Sequence, residues 1–396
     1  MKVLLLGTGM QGRAALHDLA RSEAVTGIVA ADREVEGLRR HVAERGYGAK
    51  VTCAALDAAD AAAIDRLVGG GHDVVIDLLP VPFIGTVAAA AVDRDVHLVN
   101  TFYVTPELRH LAGQAEARGV TLLPELGLDP GIDLVLLGEA VRRFDEVTAI
   151  VSYGAGLPEP VAADNPLRYK VSWNFEGVLR SYHRPGRLVR DGDVVEFGDT
   201  DQFRPELVHE VDIDGIGRLE AFPNGDAVEY VRLLGFDEST LTRAGRYALR
   251  YPGHCGFWRV VAALGLLDDG AVEVDGAHVD RRRFLARALE PRLQYRAHER
   301  DVAILRVEVE GMRDGVARRV VHQVIDRRDL KTGLTAMSRT VGYAASIGAH
   351  MIGAGLISAR GLLSPVTDVP CAPFIEALTA RGIAVTTTDE PVDQAR

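Results

Sequence analysis

A glycine-rich turn directly after a short apolar run restricts the fold of this chain more than any other feature. The run Val3–Leu6 leads into the pattern G-x-G-x-x-G at residues 7–12, and helical periodicity follows over 12–22. After a strand and before a helix, these glycines permit a tight turn, close approach of a diphosphate and close helix–strand packing. The helix start offers free N–H groups to the diphosphate, so the pattern predicts a dinucleotide-binding βαβ unit. The expected coenzyme contacts are Gly7, Thr8, Gly9, Met10, Gln11 and Gly12.

Further coenzyme contacts are expected where later apolar runs end. Asp32 closes the second run, about 20 residues after the glycines, where a carboxylate accepts hydrogen bonds from the ribose 2′-hydroxyl. That carboxylate would repel a 2′-phosphate, which favours NAD, although the neighbouring Arg33 could turn towards a phosphate and NADP remains possible. Asp57 is a candidate for the adenosine edge or, equally, for a helix N-cap. Leu79 and Pro80, which follow the apolar run 74–76, complete the predicted coenzyme set.

The first third of the chain alternates short apolar runs with helical patterns. Apolar runs occur at 26–31, 51–54, 74–76, 96–99 and 120–123, and helical stretches separate them. This alternation predicts an α/β fold in which a parallel sheet carries helices on both faces. Thr105 followed by Pro106 is typical of a helix start, with Thr as N-cap and Pro at the first helical position.

The pattern changes after about residue 127, where the candidate strands become longer and alternate. Such strands are expected at 147–153, 302–310 and 318–326, with hairpin turns at 191–193 and 272–276. We therefore predict a Rossmann domain at 1–126, completed by a C-terminal segment from about 340 to 396, and an α+β domain at 127–339. A helix rich in small residues is expected within 333–360; it would approach a ligand or another backbone closely, or simply pack on the sheet.

Composition excludes several classes of protein. The net charge of −11 and the absence of a basic stripe argue against nucleic acid as a partner. Three scattered cysteines fit a reducing compartment, and the 12 histidines contain no H-x-x-x-H or H-E-x-x-H pair, so no metal is expected. The first apolar run is too short for a signal peptide and no run is long enough to span a membrane, so we expect a cytoplasmic location.

Five segments together resemble the saccharopine dehydrogenase family, and within it most closely its lysine 6-dehydrogenase branch. The resemblance covers nearly the whole chain and includes the turn E-L-G-L-D-P-G-I-D around Asp129 and the element R-Y-P-G-H that ends at His254. The segments are 101–107, 125–133, 165–173, 249–254 and 335–343. Elements at 176–179 and 360–365 carry the resemblance to the lysine 6-dehydrogenase branch.

The resemblance implies an N-terminal Rossmann domain, an inserted α+β domain that binds substrate, and at least a homodimer. The implied activity is NAD(P)-dependent oxidation of the C–N bond of an amino acid such as L-lysine to an imine and then a semialdehyde. Proton handling would fall to Tyr103, Asp129 or His254, of which His254 has the most suitable ordinary pKa. Lys170 or Arg250 would bind a substrate carboxylate, or pair with surface groups. Tyr169 and Trp173 would line the pocket, or belong to the core alone.

Several alternatives remain open at this stage. Asp129 lies in a Gly- and Pro-rich turn, which would place it at the carboxyl ends of the strands or merely link two domains. His254 would equally be a buried histidine satisfied by the backbone. Saccharopine reductases carry Asn-Arg-Asp-Ser where this chain has Asn-Gly-Asp-Ala at 224–227, and a hydroxyl residue where Phe102 stands. A saccharopine-, opine- or carboxynorspermidine-type reductase, or a non-catalytic dinucleotide sensor or assembly subunit, would share the same fold.

Overall fold

The computed structural model describes residues 1–198 and 200–392 and divides into two units. The first unit holds Met1–Gly138 and Met337–Ala384, and the second holds Glu139–Ala336 together with 385–392. The first boundary therefore lies later than the predicted residue 126. Residues 337–384 belong to the first unit, in agreement with a C-terminal segment that begins at about 340, whereas residues 385–391 pair with a strand of the second unit.

Seven parallel strands form the sheet of the first unit, in the order β17-β6-β5-β4-β1-β2-β3. The strands are β1 (Lys2–Leu6), β2 (Gly27–Asp32), β3 (Val51–Ala55), β4 (Val74–Asp77), β5 (His97–Asn100), β6 (Thr121–Leu123) and β17 (Gly361–Leu362). The helices are α1 (Met10–Arg21), α2 (Val35–Glu44), α3 (Ala61–Val68), α4 (Ile84–Asp93), α5 (Pro106–Ala117), α6 (Ile132–Val141), α11 (Ala336–Gly353), α12 (Pro365–Asp368) and α13 (Cys371–Ala380). The strand order reverses between β1 and β4, which is where parallel sheets of this kind bind ligands.

Burial explains why the first unit folds in this way. The side chains of β1 from Val3 to Leu6 are completely buried, as expected for a strand covered on both faces. One face packs against a core that includes residues of α3, α4 and α5. The predicted start of α5 is confirmed, because the Thr105 hydroxyl accepts a hydrogen bond from the Leu108 N–H and Pro106 is the first helical residue.

A mixed nine-stranded sheet forms the second unit. Its main path is β10-β11-β12-β7-β15-β16-β18, and β8 pairs with β12 and with β9. The strands are β7 (Glu146–Pro158), β8 (Gly186–Arg190), β9 (Asp193–Phe197), β10 (His209–Ile213), β11 (Gly217–Pro223), β12 (Arg243–Arg250), β15 (Asp301–Arg313), β16 (Val316–Arg327) and β18 (Val385–Pro391), with a separate hairpin of β13 (Ala271–Val274) and β14 (Ala277–Asp280). The helices are α7 (Phe175–Ser181), α8 (Ala227–Leu233), α9 (His254–Ala263) and α10 (Arg281–Leu289). Short 3-10 turns lie at Val81–Phe83, Pro160–Ala162, Asp201–Phe203, Glu238–Thr240 and Glu290–Arg292.

The predicted fold class is confirmed, and so are both hairpins. Asp191 and Gly192 link β8 to β9, and Asp275 and Gly276 link β13 to β14. Strand β18 has no counterpart in the prediction, although its run of Val385 and three threonines is typical of a strand. Among residues 1–198 and 200–392, no helix is both long enough and apolar enough to cross a membrane.

Candidate active site

The three glycines of the first turn differ in what surrounds them. A Cβ on Gly12 would lie 2.0 Å from the Gly7 carbonyl oxygen, so α1 can pack against the turn only without a side chain there. Gly7 has φ +84°, and a Cβ on it would lie 2.7 Å from the Leu78 carbonyl oxygen. A Cβ on Gly9 would meet no protein atom within 4 Å. Gly7 and Gly12 therefore serve the packing, whereas the open space at Gly9 suits the approach of a diphosphate.

The start of α1 leaves its N–H groups available to an anion. No side chain caps the first turn, the N-cap is Gly9, and no acidic residue lies within the turn. Met10 is exposed and Gln11 is half-buried, so both lie at the surface of the proposed coenzyme site. This is the arrangement that binds diphosphates at helix N-termini.

Asp32 is tied to the glycine-rich turn by hydrogen bonds. Its Oδ2 accepts hydrogen bonds from the Thr8 N–H at 2.6 Å and the Thr8 hydroxyl at 2.8 Å, and its Oδ1 accepts one from the Glu34 N–H. Burial raises the pKa of this carboxyl, but the hydrogen bonds from Glu34 and Thr8 outweigh it and leave the pKa below its ordinary value. Asp32 is therefore an anchored carboxylate at the end of β2, and Oδ1 keeps capacity for a further donor.

The other predicted coenzyme residues lie at the same edge of the sheet. Arg33 is exposed directly after β2. Asp57 follows β3 and accepts a hydrogen bond from the Ala59 N–H; the N-cap of α3 is Asp60, so the alternative of an N-cap role for Asp57 is wrong. Leu79 and Pro80 follow β4, and the Leu79 N–H donates to Asp77.

The helix rich in small residues packs closely against α1. A Cβ on Gly342 of α11 would lie 2.4 Å from the Gln11 carbonyl oxygen and 2.7 Å from the Ala15 nitrogen. Ser346 of α11 also donates a hydrogen bond to Asp18 of α1 at 2.6 Å. The small residues therefore allow two backbones to approach, next to the first turn of α1.

Asp129 and Tyr103 lie in segments that follow neighbouring strands of the first unit. Asp129 is half-buried in a tight turn after β6, in which Gly127 pairs with Gly131 and a Cβ on Gly131 would lie 2.2 Å from the Gly127 nitrogen. Tyr103 follows β5, and its ring packs edge-on against Phe102. Both residues therefore lie after the carboxyl ends of strands, where ligands of parallel sheets bind.

Arg250, at the end of β12, carries a buried guanidinium in the second unit. It is 8% exposed, its Nη1 donates to the Leu249 carbonyl oxygen at 2.8 Å, and its Nε has no hydrogen-bond partner. The guanidinium lies 5.3 Å from the ring of Tyr169 and 5.9 Å from that of Phe222. Among the ion pairs of the described chain, none involves Arg250. A buried cation without a carboxylate partner can compensate the charge of an anion.

His254 is the first residue of α9 and is buried beside the rings of Tyr169, Tyr182, Phe222 and Trp258. Its Nε2 lies 2.8 Å from the Tyr182 hydroxyl, and its Nδ1 has no partner. Burial, followed by the charge of Arg250, holds the pKa of His254 well below its ordinary value. The histidine is therefore neutral near pH 7. The alternative of a buried histidine is right about its burial, but its partner is the Tyr182 hydroxyl and not the backbone.

Lys170 and the two aromatic candidates have partners within the second unit. The Lys170 ammonium lies 2.8 Å from Glu299 and 2.9 Å from Asp164, so its charge is already balanced and it does not stand free for a substrate carboxylate. Tyr169 is buried in an aromatic core, and Trp173 packs against the same core half-buried. Both Lys170 and Tyr169 are buried, and the sequence pattern alone did not indicate this burial.

Two sets of residues were missed by the sequence analysis. Glu220 on β11 accepts hydrogen bonds from the N–H groups of Gly253 and Cys255, and so fixes the start of the helix that carries His254. Tyr182 was missed because it lies far from His254 in the chain.

In the first unit, Asp77 and Asn100 were also missed. They end the neighbouring strands β4 and β5 and are both buried, and only the register of these strands places them side by side.

Two family models match this chain and together account for nearly all of it. Residues 3–123 match the saccharopine dehydrogenase NADP binding domain, and residues 127–383 match the saccharopine dehydrogenase C-terminal domain. The second match alone covers more than half of the chain. The chain belongs to the saccharopine dehydrogenase family. Its first unit is the NAD(P)-binding domain of that family, as the glycine-rich turn predicts.

Similar proteins with named activities support this family assignment. The chain is 28% identical to the mitochondrial alpha-aminoadipic semialdehyde synthase of Bos taurus, over 98% of this chain and 47% of the relative. It is 26% identical to the saccharopine dehydrogenase [NADP(+), L-glutamate-forming] of Saccharomyces cerevisiae, over 95% of this chain and 96% of the relative. An apo structure of the saccharopine dehydrogenase (L-Glu forming) from Saccharomyces cerevisiae has the same fold, with TM-score 0.84, 24% identity and coverage of 98% and 99%. This chain spans about half the length of the bovine relative.

Proposed function

We propose that this member of the saccharopine dehydrogenase family is an NAD(P)-dependent dehydrogenase that oxidises the C–N bond of an amino acid such as L-lysine. The amine becomes an imine, water adds to it, and ammonia leaves to give a semialdehyde. The observation that carries the proposal is the buried Arg250 guanidinium, which has no carboxylate partner in the described chain. Leaving such a charge unpaired costs several kcal/mol, and an amino-acid carboxylate compensates it.

The first unit fits the coenzyme on its own geometry. Gly9 leaves open space where the diphosphate approaches, the first turn of α1 has no side-chain cap, and Asp32 closes β2. When bound, the nicotinamide coenzyme accepts the hydride from the carbon that carries the nitrogen. The protein has to present that carbon, exclude bulk water and receive the proton that the amine loses.

The amine has to be neutral before its carbon can lose a hydride, because an ammonium has no lone pair to stabilise the developing iminium. Since the ordinary pKa of such an amine is about 10.4, the site must favour the neutral form. Asp129 and Tyr103 are proposed to handle the proton in the first unit. His254, with its depressed pKa, is proposed to stay neutral and to hold the Tyr182 hydroxyl in place near Arg250.

A second candidate activity is oxidation of saccharopine or the reverse, reductive condensation. The names of the relatives favour it, whereas the glycine at 225, in place of the reductase arginine, favours a smaller substrate. Purified protein incubated with NAD⁺ or NADP⁺ and a panel of L-lysine, saccharopine and polyamine-type substrates separates these activities through the NAD(P)H absorbance. We expect turnover with L-lysine. Turnover of saccharopine alone would favour the second candidate, and coenzyme binding without turnover of any substrate would favour a sensor or assembly subunit.

Replacing Asp32 with alanine is expected to reduce the preference for NAD over NADP about tenfold. The change removes the carboxylate that would bind the ribose 2′-hydroxyl and repel a 2′-phosphate. Because Asp32 also holds Thr8, the variant should bind both coenzymes less tightly. Titrating both coenzymes into the wild type and Asp32→Ala measures the ratio, and an unchanged ratio would contradict the assignment.

Replacing His254 with glutamine is expected to lower kcat about tenfold to 100-fold while coenzyme affinity stays unchanged. Glutamine offers an amide where the imidazole meets the Tyr182 hydroxyl, but it loses the ring that stacks on Phe222. Steady-state kinetics and coenzyme titration on the same preparation give both quantities. Equal losses in kcat and coenzyme affinity would show that His254 acts on the fold and not on the reaction.

A further inference from the structure

Two buried side chains at the carboxyl edge of the first sheet have the same local geometry. Asp77 ends β4 and Asn100 ends β5, and the two residues are register partners in neighbouring parallel strands. The Asp77 Oδ1 accepts a hydrogen bond from the Leu79 N–H at 3.0 Å, and the Asn100 Oδ1 accepts one from the Phe102 N–H at 2.9 Å. Each side chain therefore fixes the segment that follows its own strand, in the manner of an Asx turn.

The second polar atom of each side chain has no partner. The Asp77 Oδ2 and the Asn100 Nδ2 are buried without a hydrogen bond, and the two residues are 2% and 1% exposed. Neighbouring strands lie about 4.8 Å apart, so equivalent atoms of register partners lie close together. Two unsatisfied polar atoms at one place in a core are costly and indicate that a further group completes the site.

This pair lies next to the proposed diphosphate turn. Asp77 is also the register partner of Leu6, the last residue of β1, and the Leu78 N–H donates to the Leu6 carbonyl oxygen. A Cβ on Gly7 would lie only 2.7 Å from the Leu78 carbonyl oxygen, so the segment after Asp77 packs closely against this glycine. The backbone that follows Asp77 therefore packs against the proposed diphosphate turn.

We propose that Asp77 and Asn100 are paired positioning residues for the coenzyme, and that the coenzyme binds to the form in which Asp77 carries its proton. The inference rests on the proposed binding of NAD(P) to this unit. In the protonated form, the Asp77 hydroxyl and the Asn100 amide are both donors, which suits an acceptor on the coenzyme or a bridging water. In the ionised form, Asp77 places a buried negative charge one strand from β1 and from the turn proposed to bind the diphosphate.

The electrostatic surroundings of Asp77 agree with this proposal. Burial raises its pKa to about 7, and the Leu79 N–H lowers it only in part. The neighbouring strands present Leu6 and Asn100, and residues 7–11 and 78–87 contain no titratable side chain.

Further titratable groups lie near the carboxyl edge of this sheet. The segment after β5 contributes Tyr103 and Glu107, and the edge of the sheet contributes Asp32 and Asp129. Glu125, which follows β6, is buried, and its N–H donates to the Phe102 carbonyl oxygen. Burial holds the pKa values of His41, His72, His97 and His350 in this unit below the ordinary value. The Thr105 hydroxyl holds the pKa of Glu107 below its ordinary value, and that of Asp32 is also lowered, so both stay ionised through neutral pH.

The proposal predicts that coenzyme affinity falls as the pH rises through about 7. The free protein loses the Asp77 proton near this pH, whereas the complex retains it, so binding takes up a proton. Linkage then weakens the affinity by up to about tenfold for each further pH unit. Asp77→Asn keeps the acceptor for the Leu79 N–H but cannot ionise, so its affinity should stay level over the same range.

Calorimetric titration of NADH and NADPH between about pH 6 and pH 8.5 tests the proposal on the full chain. The matched control is Asp60→Asn, which keeps the N-cap of α3 and should show the wild-type pH dependence. A dependence that survives in Asp77→Asn would overturn the proposal. Absence of binding in the wild type at every pH would instead overturn the coenzyme assignment itself.

A measurement on the wild type alone covers the case in which Asp77→Asn fails to fold. Titrations near pH 7.5 in buffers of different ionisation enthalpy give the number of protons taken up with the coenzyme. We expect an uptake approaching about one proton. No uptake would contradict the proposal without any variant.

Discussion

Replacing Gly9 with alanine is expected to weaken NAD(H) binding about 100-fold while the free protein keeps its fold and thermal stability. The backbone at Gly9 has φ −65°, which alanine adopts without strain, and the added methyl group would meet no protein atom within 4 Å. That methyl group would occupy the space that a diphosphate needs. Loss of one or two charge-assisted hydrogen bonds costs about 3 kcal/mol, which corresponds to about 100-fold in affinity.

The matched variant is Gly12→Ala, in the same turn. Its methyl group would lie 2.0 Å from the Gly7 carbonyl oxygen, so β1 and α1 would have to separate. This variant should lose both thermal stability and coenzyme binding. Melting curves and coenzyme titration distinguish the two glycines, and wild-type affinity in Gly9→Ala would show that the diphosphate binds elsewhere.

Replacing Arg250 with methionine is expected to lower kcat/KM for the amino-acid substrate about 100-fold to 1,000-fold. The change removes the cation that would pair with the substrate carboxylate, and a loss of this kind costs about 3 to 4 kcal/mol. Coenzyme affinity should stay unchanged. Thermal stability should stay level or rise, because a buried unpaired charge is replaced by an apolar side chain of similar length.

Lys170→Met provides the contrast to Arg250→Met. Lys170 is also buried but already pairs with Glu299 and Asp164, so its loss leaves the buried Glu299 carboxylate with Arg296 as its one remaining cation among the described residues. We expect this variant to melt at a lower temperature with little specific loss of substrate affinity. If Arg250→Met instead lost stability and kept its kcat/KM, Arg250 would be a structural residue and the substrate site would lie elsewhere.

Local sequence patterns predicted the strands and helices of the first unit well, because short segments of the chain are enough to specify them. The glycine-rich turn, the strand-and-helix alternation and the cap at Thr105 each depend on residues adjacent in the chain. Strand β18 was missed because its pairing with β16 joins residues about 65 positions apart in the chain. Its three consecutive threonines also lack the alternation of apolar and polar residues that predicts a strand. Because this pairing is not visible in the local sequence, residues 385–391 were assigned to the first unit together with the segment before them.

The candidate site in the second unit depended more on tertiary structure. Sequence singled out Arg250 and His254 but could not tell that Lys170 is balanced by Glu299, more than a hundred residues further along the chain. The contact between Tyr182 and His254, and the register of Asp77 against Asn100, likewise arise only in the folded sheet. Residue types indicated which side chains could bind a carboxylate, but only the packing showed which of these cations already pairs with a carboxylate of the protein.

The most direct test of the central claim is the appearance of NADH or NADPH when the purified protein is given oxidised coenzyme and L-lysine. We expect reduced coenzyme and semialdehyde to form in equal amounts, and we expect Arg250→Met to form both about 100-fold to 1,000-fold more slowly at low L-lysine while it still binds the coenzyme. Tight coenzyme binding with no reduction in the presence of L-lysine, saccharopine or any related amine would contradict it.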